Sequence, residues 1–192
     1  MDFLLLTLIT PFIGALLSYT FKNKAAVIAS LFSLLTLLFS LLSIFETSLS
    51  KVKIYYSFSL FKWLNANFGL ICDPLTSILL ILITVIGFFV ILYSCGYMSP
   101  QNADHPFYKP YGSYYFLMLL FIGAMVGVAT AANFLQLFFF WEITTLCSWA
   151  LISYTKEKKG FVFWIKGIHN DPYRWIGLFN CSWINVLSGK IL

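Results

Sequence analysis

Residues 133–155 read NFLQLFFFWEITTLCSWALISYT. The run is long enough to cross a hydrocarbon core as a helix, which takes about 20 predominantly apolar residues. It carries one carboxylate, Glu142, in its middle. A carboxylate near the centre of a bilayer costs at least about 2.5–3.5 kcal/mol on insertion scales, so such groups face a protein interior or a wet cavity and take a partner. Two states are open to it: protonated and neutral, or ionised and held by a cation or by hydrogen-bond donors. A site that moves between the two is what a proton path requires. The neighbours of Glu142 three and four residues away are Phe138, Phe139, Thr145 and Leu146, so Thr145 is the polar group on its face, with Thr144 and Ser148 on adjacent faces. The plain structural alternative is a protonated glutamate making one helix–helix hydrogen bond.

The rest of the chain agrees with a membrane setting. Of its 192 residues, 60% are hydrophobic, 20% aromatic and only 10% charged, and the mean hydropathy is +0.88. A soluble domain carries about 25% charged residues; this chain has too few to cover a water-facing surface. The expected partner is therefore the lipid bilayer. The net charge of +5 is no sign of nucleic-acid binding, because the Lys and Arg residues are scattered over loops and the C-terminal end without a basic, aromatic-interleaved stripe. The four cysteines, Cys72, Cys95, Cys147 and Cys181, are far apart and form no CxxC or Cys/His cluster. Neither a metal site nor a disulfide framework is indicated. The N-terminus, MDFLLLTLITPF, lacks a basic leader region and a small-residue cleavage site, and is expected to be a retained first span.

Five spans are predicted, over 3–21, 25–45, 75–95, 114–132 and 134–153. Between the second and third, KVKIYYSFSLFKW alternates partly with period two and is rich in β-branched and aromatic residues, which predicts a short hairpin or strand at the membrane surface. Asn133 marks a very short turn, and KEKK (156–159) closes the fifth span. No Lys, Arg or His lies inside the five spans, so the partner of Glu142 comes from elsewhere. With alternating spans, Lys22, Lys24, Lys109, Lys156, Lys158 and Lys159 fall on one side, and Lys51, Lys53 and Lys62 on the other. The positive-inside rule then puts the N-terminus on the non-cytoplasmic side. At the mouth of the third span, CDPLTS places Asp73 to cap the helix, with Pro74 in its first turn. Trp63 and Tyr114 read as interfacial anchors.

At this point the chain resembles a known family. DPLTSILLILITVIGFFVILYSCGYM (73–98), Phe107 and Tyr108 in the next loop, and the FFFWE…SWALISY run of the fifth span are similar to the antiporter-like proton-pumping subunits. These subunits occur in respiratory complex I, in membrane-bound energy-converting hydrogenases and in multisubunit sodium/proton antiporters. The resemblance covers residues 60–160. It implies an all-α membrane fold of about fourteen helices built from inverted repeats, of which this chain holds the N-terminal part. It also implies that Glu142 is the family's fifth-helix glutamate, which pairs with a lysine on the seventh helix as protons pass. It implies no bound cofactor and no catalytic site of the chain's own, since redox chemistry belongs to partner membrane subunits. The transported ion is the proton by default, with sodium as the alternative. The setting is a bacterial or archaeal cytoplasmic membrane, or else the mitochondrial inner membrane. Which of the three complexes is meant stays open, as does a rival role as a structural or assembly subunit.

The resemblance stops at residue 160, so the membrane domain is assigned to 1–160 and residues 161–192 to a tail unlike the family. HNDPYR (169–174) is too polar for a sixth span. Taking bases two and three of each codon with base one of the next, residues 169–176 permit Thr-Met-Thr-His-Ile-Gly-Gly, the kind of segment the family carries there. Trp175 followed by Ile176 forces the last glycine, because TGG followed by A leaves GGA. A single-base frameshift near residue 160 is therefore expected, and the short product, lacking the later helices, is expected not to conduct protons. Reading the coding DNA checks the frameshift: the shifted frame should stay open and encode an apolar span after residue 168, whereas an early stop would exclude it.

Overall fold

The computed structural model describes residues 3–48, 53–61, 66–98 and 112–154. The chain divides into two units, 1–148 and 149–192; of the second, the described residues are 149–154, the end of the last helix. Residues 161–192, including HNDPYR, lie outside the described residues, as do Trp63, Phe107 and Tyr108.

Among the described residues, five helices occupy the five apolar runs: α1 (Phe3–Thr20), α2 (Ala25–Ser48), α3 (Pro74–Tyr97), α4 (Gly112–Ala129) and α5 (Phe134–Tyr154). Each is long and apolar enough to cross a membrane. A single 3-10 turn, Lys22–Lys24, joins α1 to α2. Between α2 and α3, β1 (Lys53–Phe61) and β2 (Ala66–Cys72) pair as an antiparallel hairpin. The sequence places the fourth span at 114–132, but α4 ends at Ala129. The residues after it have other work: the Thr130 carbonyl accepts from the Ile71 N–H at 3.0 Å, Ala131 bridges to Leu70, and Asn133 caps α5.

In lipid, apolar side chains gain nothing by leaving the tails for one another, so helices associate where small residues let backbones approach. The buried face of α2 follows that rule. Ala25, Ala29, Ser33, Thr36, Ser40 and Ser43 recur every three or four residues and are all buried, while Val27, Leu31, Leu38 and Phe45 on its other side are exposed. The hydroxyls are satisfied within their own helix, for example Thr36 to the Phe32 carbonyl at 2.7 Å and Ser43 to the Ser40 carbonyl at 2.8 Å. Ser40 also meets Thr84 of α3 across the interface, with 3.0 Å between the hydroxyl oxygens. α1 approaches α2 so closely that a Cβ on Gly14 would stand 2.5 Å from the Phe32 Cβ.

The hairpin is more than a surface ornament. With period two, Phe68, Leu70 and Cys72 turn to one side of β2 and join a core with Leu4 and Leu8 of α1, Leu80 of α3, Val126 of α4 and Phe140 of α5. β2 therefore closes one end of the bundle. A bulge between Tyr55 and Ser57 shifts the ladder opposite Leu70 and Gly69.

Removing one interhelical hydroxyl should cost little, about 0.6–1.7 kcal/mol for Ser40→Ala. Gly14→Ala should cost more, about 1–3 kcal/mol, because two Cβ atoms cannot share that space. Unfolding in mixed detergent micelles orders the two; equal costs would contradict the close α1–α2 approach.

Candidate functional site

α5 starts where Asn133 Oδ1 accepts the Gln136 N–H at 2.8 Å, a side-chain cap on the first turn. From there one face of the helix is buried: Gln136, Phe140, Thr144 and Cys147, at helical spacing. Phe140 is its centre. A Cβ added to Gly127 of α4 would lie 2.5 Å from the Phe140 ring, so only glycine admits the ring there. Phe12 of α1 and Phe68 of β2 flank it, with ring centroids at 6.5 Å and 6.2 Å.

Glu142 follows Phe140 by two residues and so projects about 160° around the helix from it. It is half-buried, and among the described residues it makes no hydrogen bond or ion pair. Its side of α5 is open and mostly apolar: Trp141 is 59% exposed, with Thr145, Leu146 and Ile152 also exposed. The two hydroxyls expected to support Glu142 are turned to their own helix. Thr145 donates to the Trp141 carbonyl at 3.1 Å and Ser148 to the Thr144 carbonyl at 2.8 Å. Thr144 likewise donates to the Trp141 carbonyl at 2.6 Å. The structure thus places Thr145 and Ser148 near the carboxylate along the chain but does not bond them to it.

Asp73 lies apart, at the start of α3. Its Oδ1 accepts the Thr76 N–H at 2.6 Å, its backbone is extended, and Pro74 opens the helix. That bond to the Thr76 N–H holds the carboxyl below the usual carboxylate range. Asp73 is a cap. Tyr114 is half-buried in the first turn of α4, edge-on to Tyr115. No group of three or more metal-ligating side chains occurs among the described residues.

One residue was not singled out by the sequence. Gln136 is 3% exposed, and its Oε1 accepts the Gly69 N–H of β2 at 3.2 Å. The available signal was its spacing of four and eleven residues from Phe140 and Cys147, which puts an amide on an otherwise apolar and weakly polar stripe.

With this geometry in place, comparison with known proteins is specific. Residues 58–108 match the family described as NADH-ubiquinone oxidoreductase (complex I), chain 5 N-terminus. The chain is similar to the antiporter-like membrane subunits. Na(+)/H(+) antiporter subunit A1 of Staphylococcus haemolyticus is 36% identical over 122 residues, 64% of this chain and 14% of that protein. The chloroplast NAD(P)H-quinone oxidoreductase subunit 5 of Lolium perenne is 36% identical over 126 residues, 65% of this chain and 16% of that protein. This antiporter-like chain therefore spans only a small part of the length of the curated relatives it matches. In fold it superposes on a chain of the membrane-bound sulfane sulfur reductase, an archaeal respiratory membrane complex, with TM-score 0.68 and 21% identity over 86% of this chain and 33% of that one. A chain of the Mrp complex from a Dietzia species gives TM-score 0.63 and 26% identity, over 82% of this chain and 16% of that one. The five-helix membrane fold with its hairpin is thus that of multisubunit membrane complexes, and the protein is an integral, multi-pass membrane protein.

The cap at Asp73 makes a pH-dependent contribution. Its folded pKa is depressed, so the stabilisation is present above the unfolded value and lost as pH falls through the folded one. Asp73→Ala should lower stability by about 0.5–2 kcal/mol at neutral pH, while Asp73→Asn, which still caps, should lose little and abolish that pH dependence. Thermal unfolding from about pH 2 to about pH 7, a range that brackets the ordinary aspartate pKa, checks both.

Proposed function

We propose that this chain carries the N-terminal part of a proton-translocating antiporter-like subunit of an NADH:quinone oxidoreductase or membrane-bound hydrogenase-type complex. Electron transfer in partner subunits would drive proton movement through it, with Glu142 as a proton-carrying carboxyl. The observation that supports this most directly is the placement of Glu142: midway along an apolar 21-residue helix, on the face turned from its packing, and without a hydrogen bond or ion pair among the described residues. Left against lipid, such a group would be costly. Covered by a further helix bearing a cation, it becomes one half of a relay whose charge can be gained and lost. The resemblance supplies that cation as a lysine on a later helix. Thr145 and Ser148 keep free acceptor lone pairs beside the path, although their protons are spent on carbonyls.

A second reading, a subunit of a multisubunit sodium/proton antiporter, is favoured by the 36% identity to the Na(+)/H(+) antiporter subunit A1. In either case the N-terminus lies on the non-cytoplasmic side of a bacterial or archaeal cytoplasmic membrane, by the distribution of lysines in the loops.

Glu142→Gln in the assembled complex should lower proton translocation into inverted vesicles by about a hundred-fold while the complex still assembles. Unchanged translocation would overturn the role of Glu142. Sodium uptake that survives a protonophore would select the antiporter reading. A cysteine at Asn23 should react with a membrane-impermeant maleimide only from the cytoplasmic face; reaction from the other face would invert the topology.

A further inference from the structure

We propose that Gln136 is a positioning residue for Glu142, clasping α5 to β2 and so setting the rotation and depth of the helix that carries the carboxyl. The proposal rests on the reading of Glu142 given above.

β2 is tied to three other elements. At its C-terminal end it runs through Asp73, the cap, directly into α3. Its Ile71 N–H bonds the Thr130 carbonyl, and Leu70 bridges Ala131, so it also holds the turn between α4 and α5. The third tie is the Gly69 N–H to Gln136 Oε1 on α5 itself. Gly69 stands where the β1 bulge shifts the ladder, which is where a strand can turn a backbone group toward something other than its neighbour.

The other inward contacts of α5 seen among the described residues are apolar. Phe140 and Ile143 pack on the core, and the hydroxyls of Thr144 and Ser148 bond within the helix. Apolar contacts resist separation but have no preferred direction, so a ring can slide or turn in its seat. A hydrogen bond falls off steeply with distance and angle. Gln136 supplies that directional restraint on the buried face, six residues or about 9 Å along the axis from Glu142.

The amide also carries a mark of function. Its Nε2 is buried with no hydrogen-bond partner. An orphaned buried donor is unfavourable, so this glutamine is not the residue that stability alone would choose. A methionine of the same length would orphan the Gly69 N–H but remove the orphaned Nε2. The two changes oppose each other, and Gln136→Met should leave stability nearly unchanged while releasing the clasp.

Other titratable groups do not confuse the readout. α1, α4 and β2 meet α5 directly, and Leu80 and Ile83 of α3 and Ile44 of α2 share its core cluster. The described residues of α1, α4 and β2 contain no Lys, Arg, His, Asp or Glu, only Tyr19, Tyr114, Tyr115 and Cys72; α3 adds Tyr93, Cys95 and Tyr97, α2 adds Glu46, and α5 itself adds Cys147 and Tyr154.

The test is carbon-13 NMR of the full chain in lipid vesicles, labelled at the glutamate carboxyls. The chain has three glutamates, Glu46, Glu142 and Glu157, and Glu142→Gln assigns the resonance of interest. Gln136→Met and Gln136→Asn, the second keeping the amide but one methylene short of Gly69, should each move the pH midpoint of the Glu142 resonance by about 0.5 or more. Ser40→Ala, which removes a buried α2–α3 bond that involves no residue of α5, should not move it. An unmoved midpoint in both Gln136 variants overturns the proposal, as does an equal movement in Ser40→Ala. If both Gln136 variants fail to fold, the residue is structural and the proposal falls. If the midpoint moves but Glu142→Gln leaves proton translocation intact, the clasp stands and the transport role of Glu142 falls.

Discussion

The seat of Phe140 on Gly127 decides which way Glu142 faces. Once that ring occupies the gap left by a missing Cβ, flanked by Phe12 and Phe68, the helix turns its Phe140 side to the bundle, and the bond from the Gly69 N–H to Gln136 trims its rotation and depth. The carboxylate, two residues on, is turned outward. A bundle that buried Glu142 among α1 to α4 would have to pair it there, and the described parts of α1, α4 and β2 contain no cation to do so. The four-helix core is instead built from small residues and hydroxyls that mostly bond within their own helices, and Glu142, the carboxylate deep within a span among the described residues, is kept out of it.

Much of this was legible in the sequence, for identifiable reasons. Spans are set by hydrocarbon thickness, so five runs of about 20 apolar residues gave five helices with ends shifted by only a few residues. The cap at Asp73 followed from its place before Pro74 and the apolar run, a local signal that needs no tertiary information. The hairpin was visible from the alternation in KVKIYYSFSLFKW. Its role in closing the bundle was not, because the strand that packs is ANFGLIC, and a continuous apolar strand next to a helix start has no face until its neighbours are known. The direction of Glu142 could not be read either. Helix α5 is apolar nearly all round, so no stripe distinguishes its inner side, and Thr145 looked like a helper where it in fact bonds Trp141. Gln136 escaped notice because its partner is a backbone N–H 67 positions away.

Such an arrangement suits a part of a larger machine. The relatives and solved structures it resembles are subunits of an Na(+)/H(+) antiporter and of a chloroplast NAD(P)H-quinone oxidoreductase and chains of an archaeal respiratory membrane complex and of the Mrp complex, and each is several times longer than the stretch it shares with this chain. Within that stretch, β2 gathers α3, α5 and the turn after α4 into one connected end, so a displacement of the hairpin would be felt by the helix bearing the carboxyl. An outward-facing glutamate beside Trp141 has meaning only if further protein covers it, since lipid would not tolerate its charge.

The central claim is therefore that the Glu142 face of α5 is protein-covered in the working complex. It can be measured directly with spin labels at Thr145→Cys, next to Glu142, and at Leu38→Cys, on the lipid side of α2, by comparing the broadening caused by dissolved oxygen. The expected result is low oxygen accessibility at position 145 and high accessibility at position 38. Equally high accessibility at both would place Glu142 against lipid and contradict its assignment to a proton path.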